Sequence, residues 1–249
     1  MLRYLMSSAL GSVISVSRHA RGQIASIPGL RSPARLAAEL KATALDSSAR
    51  DRAALEELFA SKVDPYEFAR EPERFDRACE MLDKVRHEER FARALEIGCA
   101  EGIFTECLSG RCESILALDL SPTALLRARQ RCAHLNNITF SESDLRIDPL
   151  EAQFDLIVAV GVLEYIRRPT TLKVACDRLV SALTSGGYLL VGNTVADGGI
   201  ESRWWAHLLL RGTWINKYLA RDPRLQVLST ALDNFICPFE HVLFRRNRN

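Results

Sequence analysis

Several things are missing from this 249-residue chain, and each absence narrows its chemistry. No run of about 18 apolar residues occurs, so no helix that crosses a bilayer is expected. The seven cysteines (Cys79, Cys99, Cys107, Cys112, Cys132, Cys176 and Cys237) are odd in number and never form a C-x-x-C. A disulfide framework or a zinc site finds no support, and a reducing, cytoplasmic setting fits best. Several of these cysteines lie in apolar runs, where a free thiol behaves as a small hydrophobe. Charge of one sign is also lacking: 33 Lys and Arg against 31 Asp and Glu leave +2. That balance argues against nucleic acid or an anionic membrane as the main partner. The basic residues bunch from Arg18 to Arg35 and at Arg245, Arg246 and Arg248, as solvated faces or tails commonly do.

Acids are absent before Glu39, while arginines and serines are frequent there. The bias has the flavour of an organellar transit peptide, and Tyr4 to Val16 faintly that of a signal core, though serines interrupt it. The plainer expectation is a poorly ordered extension over residues 1–48. Residues 49–249 then form the domain, with a ligand-binding core over 85–193 and a cap over 194–225.

What remains alternates between helix and strand, the pattern of an α/β domain with a parallel sheet. The spacing predicts a helix over Asp51 to Ser61, with Leu55, Leu58 and Phe59 on one side, broken at Asp64-Pro65-Tyr66. A second helix is expected over Pro72 to Lys84, burying Phe75, Cys79 and Leu82. Strands are expected at Ala94 to Ile97, Ser114 to Leu118, Ile138 to Ser141 and Phe154 to Val160. The last is wholly apolar apart from Asp155, as a strand covered on both faces should be. Ser121 can cap a helix that has Pro122 at its first position. A helix over Thr170 to Leu183, a turn at Gly186-Gly187 and a strand over Tyr188 to Val191 follow. Leu225 to Leu228 and His241 to Phe244 are the expected final strands.

The turn after the first strand carries the chemistry. At the carboxyl end of a parallel strand a ligand packs against the turn into the next helix. Gly98 and Gly102 lack the β-carbons that would keep such a ligand off the backbone. A dinucleotide turn would read G-x-G-x-x-G. Here the spacing is Gly98-x-Ala100-x-Gly102, preceded by Glu96, an acid suited to a cationic or hydroxyl-bearing ligand. Asp119, 17 residues beyond Gly102, ends the second strand, where a carboxylate can accept from both ribose hydroxyls. Asp144 ends the third strand, within reach of an adenine amino group. Asp119 could instead cap the next helix, and Ser143 and Asp144 could bind their own turn.

In this order, Glu96-Ile-Gly98-Cys-Ala100-Glu-Gly102, Asp119, Asp144 and Phe154-Asp-Leu156 resemble the Rossmann-like S-adenosylmethionine-dependent methyltransferases. The resemblance implies a mostly parallel seven-stranded sheet, its last strand antiparallel, with helices on both faces. It implies S-adenosyl-L-methionine as cofactor, with Gly98, Cys99, Ala100 and Gly102 beside its methionine part. Asp119 with Leu120 would hold the ribose, Asp144 with Leu145 the adenine, and Val160 would line the site. Ala100 followed by Phe104-Thr105 narrows the likeness to the NodS-type nodulation N-methyltransferases. So do Asp64-Pro65-Tyr66, Glu71-Pro72-Glu73-Arg74, Arg203-Trp204 and His207. Those enzymes methylate the free amine of a deacetylated glucosamine on a chitin oligosaccharide, so a small-molecule acceptor is implied.

An amine acceptor must arrive neutral, which calls for desolvation or a base. Relatives carry an acid at the position of Gly161; here Glu164, Tyr165 and His207 are the substitutes expected to act on the acceptor. The loop after the fourth strand lacks the Asn/Asp-Pro-Pro-Tyr of enzymes that methylate adenine or glutamine nitrogens. All three tryptophans, Trp204, Trp205 and Trp214, fall in the cap, where their faces could receive a sugar or simply seal a helix. Three other readings stand beside the amine methyltransferase. They are O- or C-methylation of a lipid-like or quinone acceptor, a cofactor-binding subunit without catalysis, and a nicotinamide enzyme.

Overall fold

The computed structural model describes residues 48–66, 72–86, 89–195, 206–234 and 238–248. Every described residue belongs to the compact unit Asp46–Asn249. Helix α1 occupies 48–61 and α2 Pro72–Asp83, followed by β1 Ala94–Ile97, α3 Ile103–Ser109 and β2 Ile115–Asp119. Helix α4 Pro122–Arg131, β3 Ile138–Glu142, β4 Phe154–Val160 and a single 3-10 turn Leu163–Tyr165 come next. The remainder is α5 Pro169–Ala182, β5 Leu183–Thr194, α6 Ala206–Ala220, β6 Leu225–Asn234 and β7 Pro238–Arg246.

The seven strands form one sheet in the order β3-β2-β1-β4-β5-β7-β6. Strands β1 to β5 pair in parallel, and β7 is antiparallel to both β5 and β6. Their apolar composition places β1 and β4 at the centre. Side chains of a strand alternate between faces, so each central strand feeds two cores. Leu95, Ile97, Ile157 and Val191 pack on one face with Cys176 and Leu179 of α5 and Ile215 and Leu219 of α6. Ala94, Leu156, Val158 and Leu190 pack on the other with Phe75 and Leu82 of α2, Phe104 of α3 and Leu125 of α4. The parallel strands all end on one edge, beside the β1–α3 turn.

Three local expectations need correction. Gly186-Gly187 is not a turn before β5 but lies inside it. Gly186 has φ 77°, and the register with β4 slips between Phe154 and Leu156. A glycine in the left-handed region accommodates a bulge, so the strand passes through it. Strands β6 and β7 are also longer than their apolar cores. Strand β6 slips register against β7 between Val227 and Ser229 and leaves Val227 and Leu232 exposed, so its alternation cannot be read in one phase. In α1, Leu58 faces solvent, while Phe59 is buried against Ala100, Ala124, Leu55 and Tyr66.

The six described cysteines are free. Burial pushes Cys79 and Cys112 up to about 12 and Cys132 up to about 11, so these thiols serve as small apolar side chains. Cys237 lies outside the described residues.

Candidate active site

The β1–α3 turn is built from left-handed backbone. Gly98 (φ 73°), Ala100 (φ 47°) and Gly102 (φ 79°) all adopt it within five residues. The two glycines also answer to packing. A β-carbon on Gly98 would lie 2.7 Å from Val162 Cγ2, and one on Gly102 3.1 Å from Cα and Cβ of Ala128 in α4. The loop after β4 and helix α4 thus press directly on the turn. Close approach of protein to protein, and not of ligand alone, accounts for both glycines.

Hydrogen bonds fix the turn to the end of β2. The amides of Gly98 and Cys99 donate to Leu118 O at 2.7 and 3.0 Å. Ala100 N–H donates to Asp119 Oδ2 and Ser121 N–H to Asp119 Oδ1, each at 2.9 Å. Asp119 therefore does hold the backbone ahead of α4, as its plainer reading required. Each oxygen keeps a lone pair for a further donor. Burial raises its carboxyl above the ordinary range, against the lowering by these amides. Leu120 is partly exposed beside it.

Glu96 is buried, and its Oε2 has no hydrogen-bond partner among the described residues; nor has the hydroxyl of Thr105. Burial pushes the Glu96 carboxyl up to about 7, with Thr105 opposing and the charge of Asp119 adding to the rise. A buried carboxylate with an unmet oxygen is costly and calls for a donor. It lines a pocket with Gly98, Cys99, Ala100, Val160, Phe104 and Tyr66. Cys99 itself is buried and its thiol is pushed well up by burial, so its role there is its size.

The pocket's outer wall was only partly visible in the sequence. Glu101, at an unspecified position of the turn, is buried, pairs with Arg127 at 2.6 Å and accepts from Asp64 N–H at 3.0 Å. It thereby ties Asp64-Pro65-Tyr66 to the turn. The Tyr66 ring lies 5.9 Å from Phe59, edge to face, and 6.4 Å from Tyr165. Glu56 of α1 is the other residue missed. It accepts from the Ser121 hydroxyl at 2.6 Å and Thr123 N–H at 3.2 Å, docking α1 onto the N-terminus of α4. Those bonds lower its carboxyl below the usual range. Its only sequence signal was an acid on a helix, which is too common to select.

Two expected site residues are committed elsewhere. Asp144 accepts from Arg146 at 2.7 to 3.0 Å and from the Ser48 hydroxyl. Burial opposes ionisation, yet these bonds hold the carboxyl below its ordinary range. With both oxygens occupied, Asp144 organises the exit of β3 and anchors α1, and its carboxylate is not free for an adenine amine. Leu145 packs into the core below, its carbonyl accepting from Arg178 at 2.7 Å. Glu164 is likewise buried, accepting from Thr194 N–H at 2.6 Å and the Thr194 hydroxyl at 3.0 Å. It fastens the post-β4 loop to the end of β5.

Tyr165 is 46% exposed, with its ring towards Tyr66 of the pocket wall, and is not a core residue. His207 falls within α6, but its side chain is outside the described residues, as are Trp204 and Trp205. Trp214 stacks on Tyr218 at 4.9 Å and 10°, and Lys173 Nζ donates to the Tyr218 hydroxyl at 2.9 Å. Beneath them Ile215 and Leu219 pack α6 onto the domain, while the side chains of Trp205, Leu208, Leu209 and Leu210, expected to seal this helix, lie outside the described residues. Gly161 (φ 67°) has nothing within 4 Å of where a β-carbon would stand, which leaves open space at the end of β4. Among the described residues no helix is long and apolar enough to cross a membrane, and no cluster could hold a metal ion.

Comparison with known proteins agrees with this geometry. A crystal structure of the N-methyltransferase NodS from Bradyrhizobium japonicum WM9, in complex with S-adenosyl-L-homocysteine, superposes with a TM-score of 0.66. It has 27% identity and covers 78% of this chain and 96% of that one. Nodulation protein S of Sinorhizobium fredii (strain NGR234) is 32% identical over 133 residues, 53% of this chain. The Bradyrhizobium diazoefficiens protein of that name is 37% identical over 128 residues, 51% of this chain. In both cases the match spans 60% of the relative's length. The family model described as nodulation protein S (NodS) matches residues 49–225, from the first turn of α1 to the first residue of β6, and the chain belongs to the NodS family.

Proposed function

We propose that this chain is an S-adenosylmethionine-dependent methyltransferase whose acceptor is the amine of an amino sugar or oligosaccharide. The observation that carries the reading is the unmet oxygen of buried Glu96, next to a left-handed turn clamped by Asp119. The residues suit the cofactor. The Glu96 carboxylate offers an acceptor for the donors and positive charge of the methionine part. Asp119 keeps one lone pair per oxygen for the ribose hydroxyls. When bound, the cofactor supplies a methyl group activated on a positively charged sulfur.

What the protein adds is alignment and dryness. Gly98 and Ala100 fix one end of the site, and Phe59 and Tyr66 line it, with Tyr165 beside Tyr66. Orientation of two reactants can supply up to about 7–11 kcal/mol in good model systems. The open space over Gly161 lets an acceptor reach the end of β4. An amine stripped of water there sheds its proton more readily, since burial disfavours the ammonium form. The relatives named above support the amine class.

The test has two arms. Calorimetric titration with S-adenosylhomocysteine and with NAD should give binding of the former alone. Labelled methyl transfer should then appear on a partly deacetylated chitin oligosaccharide and not on phenolic or quinol acceptors. Transfer to a phenol alone would replace the acceptor class, and stabilisation by NAD alone would overturn the cofactor. Binding without transfer to any acceptor would favour a non-catalytic subunit.

A further inference from the structure

A second cleft opens at the edge of the sheet opposite the pocket beside Glu96, where the parallel strands begin and β7 ends. The two share no lining residue. Asp155, in the cleft, and Val160, in the pocket, stand five residues apart on β4, about 17 Å at 3.3 Å per residue. The cleft's volume of about 430 Å³ is that of a small-molecule site. Its charge is in excess of one sign. Arg86 after α2, Arg245 on β7 and Arg248 just beyond it face only two acids, Glu89 and Asp155. Both acids are already engaged by Arg86, at 3.5 Å each. Asp155 also accepts from the amides of Ala92 and Arg93 at 2.9 and 2.8 Å.

The fold brings the other two arginines together with no acid between them. Phe154 pairs with Leu183 and Leu156 with Tyr188, so Asp155 alone stands opposite Thr184 to Gly187, which bulge into the cleft. At this bulge Gly186 has φ 77°, and a β-carbon there would lie 3.3 Å from Arg248 Nε and 3.9 Å from Arg245 Nη2. Bare backbone thus lets two guanidinium groups close over one point, with those nitrogens within about 7 Å of each other. Arg245 donates through Nε to Gly186 O at 3.4 Å and lies 5.6 Å over the Tyr188 ring, which leaves its terminal nitrogens turned to the cleft. Arg248 is exposed and has no hydrogen-bond or ion-pair partner among the described residues. Like charges held this close repel unless an anion lies between them. Thr184 and Ser185 add hydroxyl donors to the same wall.

We propose that this cleft is a binding site for a phosphate group, held between Arg245 and Arg248 over the Gly186 bulge. The planar guanidinium fork matches a phosphate through two parallel hydrogen bonds, and two forks meeting at one point offer donors to all of its oxygens. The remaining volume, toward Arg86 and Tyr188, is polar and takes the hydroxyl-bearing body of a phosphate monoester. Free phosphate offers the same oxyanion without that body. The site stands apart from the methyl-transfer reading, because none of its residues belongs to the pocket beside Glu96.

The test titrates the full chain calorimetrically with inorganic phosphate, glucose 6-phosphate and glucose, at an ionic strength held constant with sodium chloride. We expect both phosphates to bind and glucose not to bind. Tighter binding of glucose 6-phosphate assigns the site to a monoester, and equal or tighter binding of inorganic phosphate assigns it to the free anion. Arg248→Met alters an exposed side chain beyond the last strand and should weaken phosphate binding by about tenfold or more, the loss of hydrogen bonds to a charged group. Arg248→Lys should fall between, since it keeps the charge without the fork. Arg245→Met should act in the same direction. Arg168→Met removes the same charge from an exposed residue just ahead of α5, and should leave the affinity within about twofold, as salt screens a distant charge. Failure of both phosphates to bind overturns the site. So does an unchanged affinity in folded Arg245→Met and Arg248→Met proteins, or a loss in Arg168→Met equal to theirs, which would mean attraction to net charge alone.

Discussion

The amide of Ala100 and the carboxylate of Asp119, on different strand ends, meet at 2.9 Å, so one acid at the end of β2 shapes the turn after β1. Its other oxygen is held by Ser121 N–H at the same distance. If the ribose is held here as proposed, structure and binding are coupled at this side chain, and a substitution reports on both.

Asp119→Ala should weaken S-adenosylhomocysteine binding by about 10- to 100-fold, the loss of hydrogen bonds to a charged group. It should also lower stability by about 1–3 kcal/mol, since two amides lose their acceptor. Asp119→Asn should keep more of the fold than of the binding, because the amide oxygen can still serve one backbone donor. Calorimetry and urea denaturation measure the two effects separately. Unchanged affinity in a folded Asp119→Ala protein removes Asp119 from the ribose role.

Glu96 predicts a pH dependence. Its carboxyl stands at about 7 in the folded chain, above the ordinary carboxylate value of 4.5. The folded state therefore holds the proton more tightly than the unfolded state between those two values. Stability should be greatest at the acid end of that window and decline as pH rises through it, by up to about 3 kcal/mol at 1.36 kcal/mol per unit. A cationic ligand group beside the ionised carboxylate should reverse the trend, so S-adenosylhomocysteine affinity should climb from pH 5.5 to 8. Glu96→Gln should flatten both profiles. A wild-type stability curve that rises with pH in this window, with no change on Glu96→Gln, rules out the buried acid as its cause.

Glu164→Gln and Glu164→Ala distinguish an anchoring side chain from a base. The Thr194 N–H and hydroxyl both donate to this carboxylate. Alanine should cost about 1–3 kcal/mol of stability by leaving a buried amide unmet, and glutamine less. With the protein folded, glutamine should leave the pH profile of kcat unchanged. A general base would instead lose a factor of about 10²–10⁴ in rate on becoming an amide.

The contrast between Glu96 and Glu164 shows what a sequence can carry. Strand β1 and the spacing around Gly98 are local patterns, and β4 announces its burial by apolar content alone. The order of acids after β1 and β2 likewise places Glu96 and Asp119 at one edge. Partners distant in sequence are another matter. Nothing around Asp144 reveals that Arg146 and Ser48 will occupy it, and nothing around Glu164 reveals Thr194. Glu101 and Glu56 were overlooked for the same reason, since their function lies in Asp64, Arg127, Ser121 and Thr123.

Gly98 tests how tightly the turn is fixed. Its φ of 73° makes a side chain unfavourable by roughly 1–2 kcal/mol on backbone grounds alone. A β-carbon would in addition lie 2.7 Å from Val162 Cγ2 and 2.9 Å from Val162 Cβ. Gly98→Ala should therefore lose more than the backbone cost, about 2–4 kcal/mol in total, as overpacking adds to strain. Val162→Ala removes the Cγ2 atom but not the left-handed φ. In the double variant the second substitution should recover part of the loss, giving a favourable coupling of about 0.5–2 kcal/mol in a double-mutant cycle. Strict additivity would mean that Val162 does not press on the turn. The same variants report on the pocket: with Val162 relieved, S-adenosylhomocysteine affinity should return further than stability does, because the backbone strain remains while the turn regains its place beside Glu96.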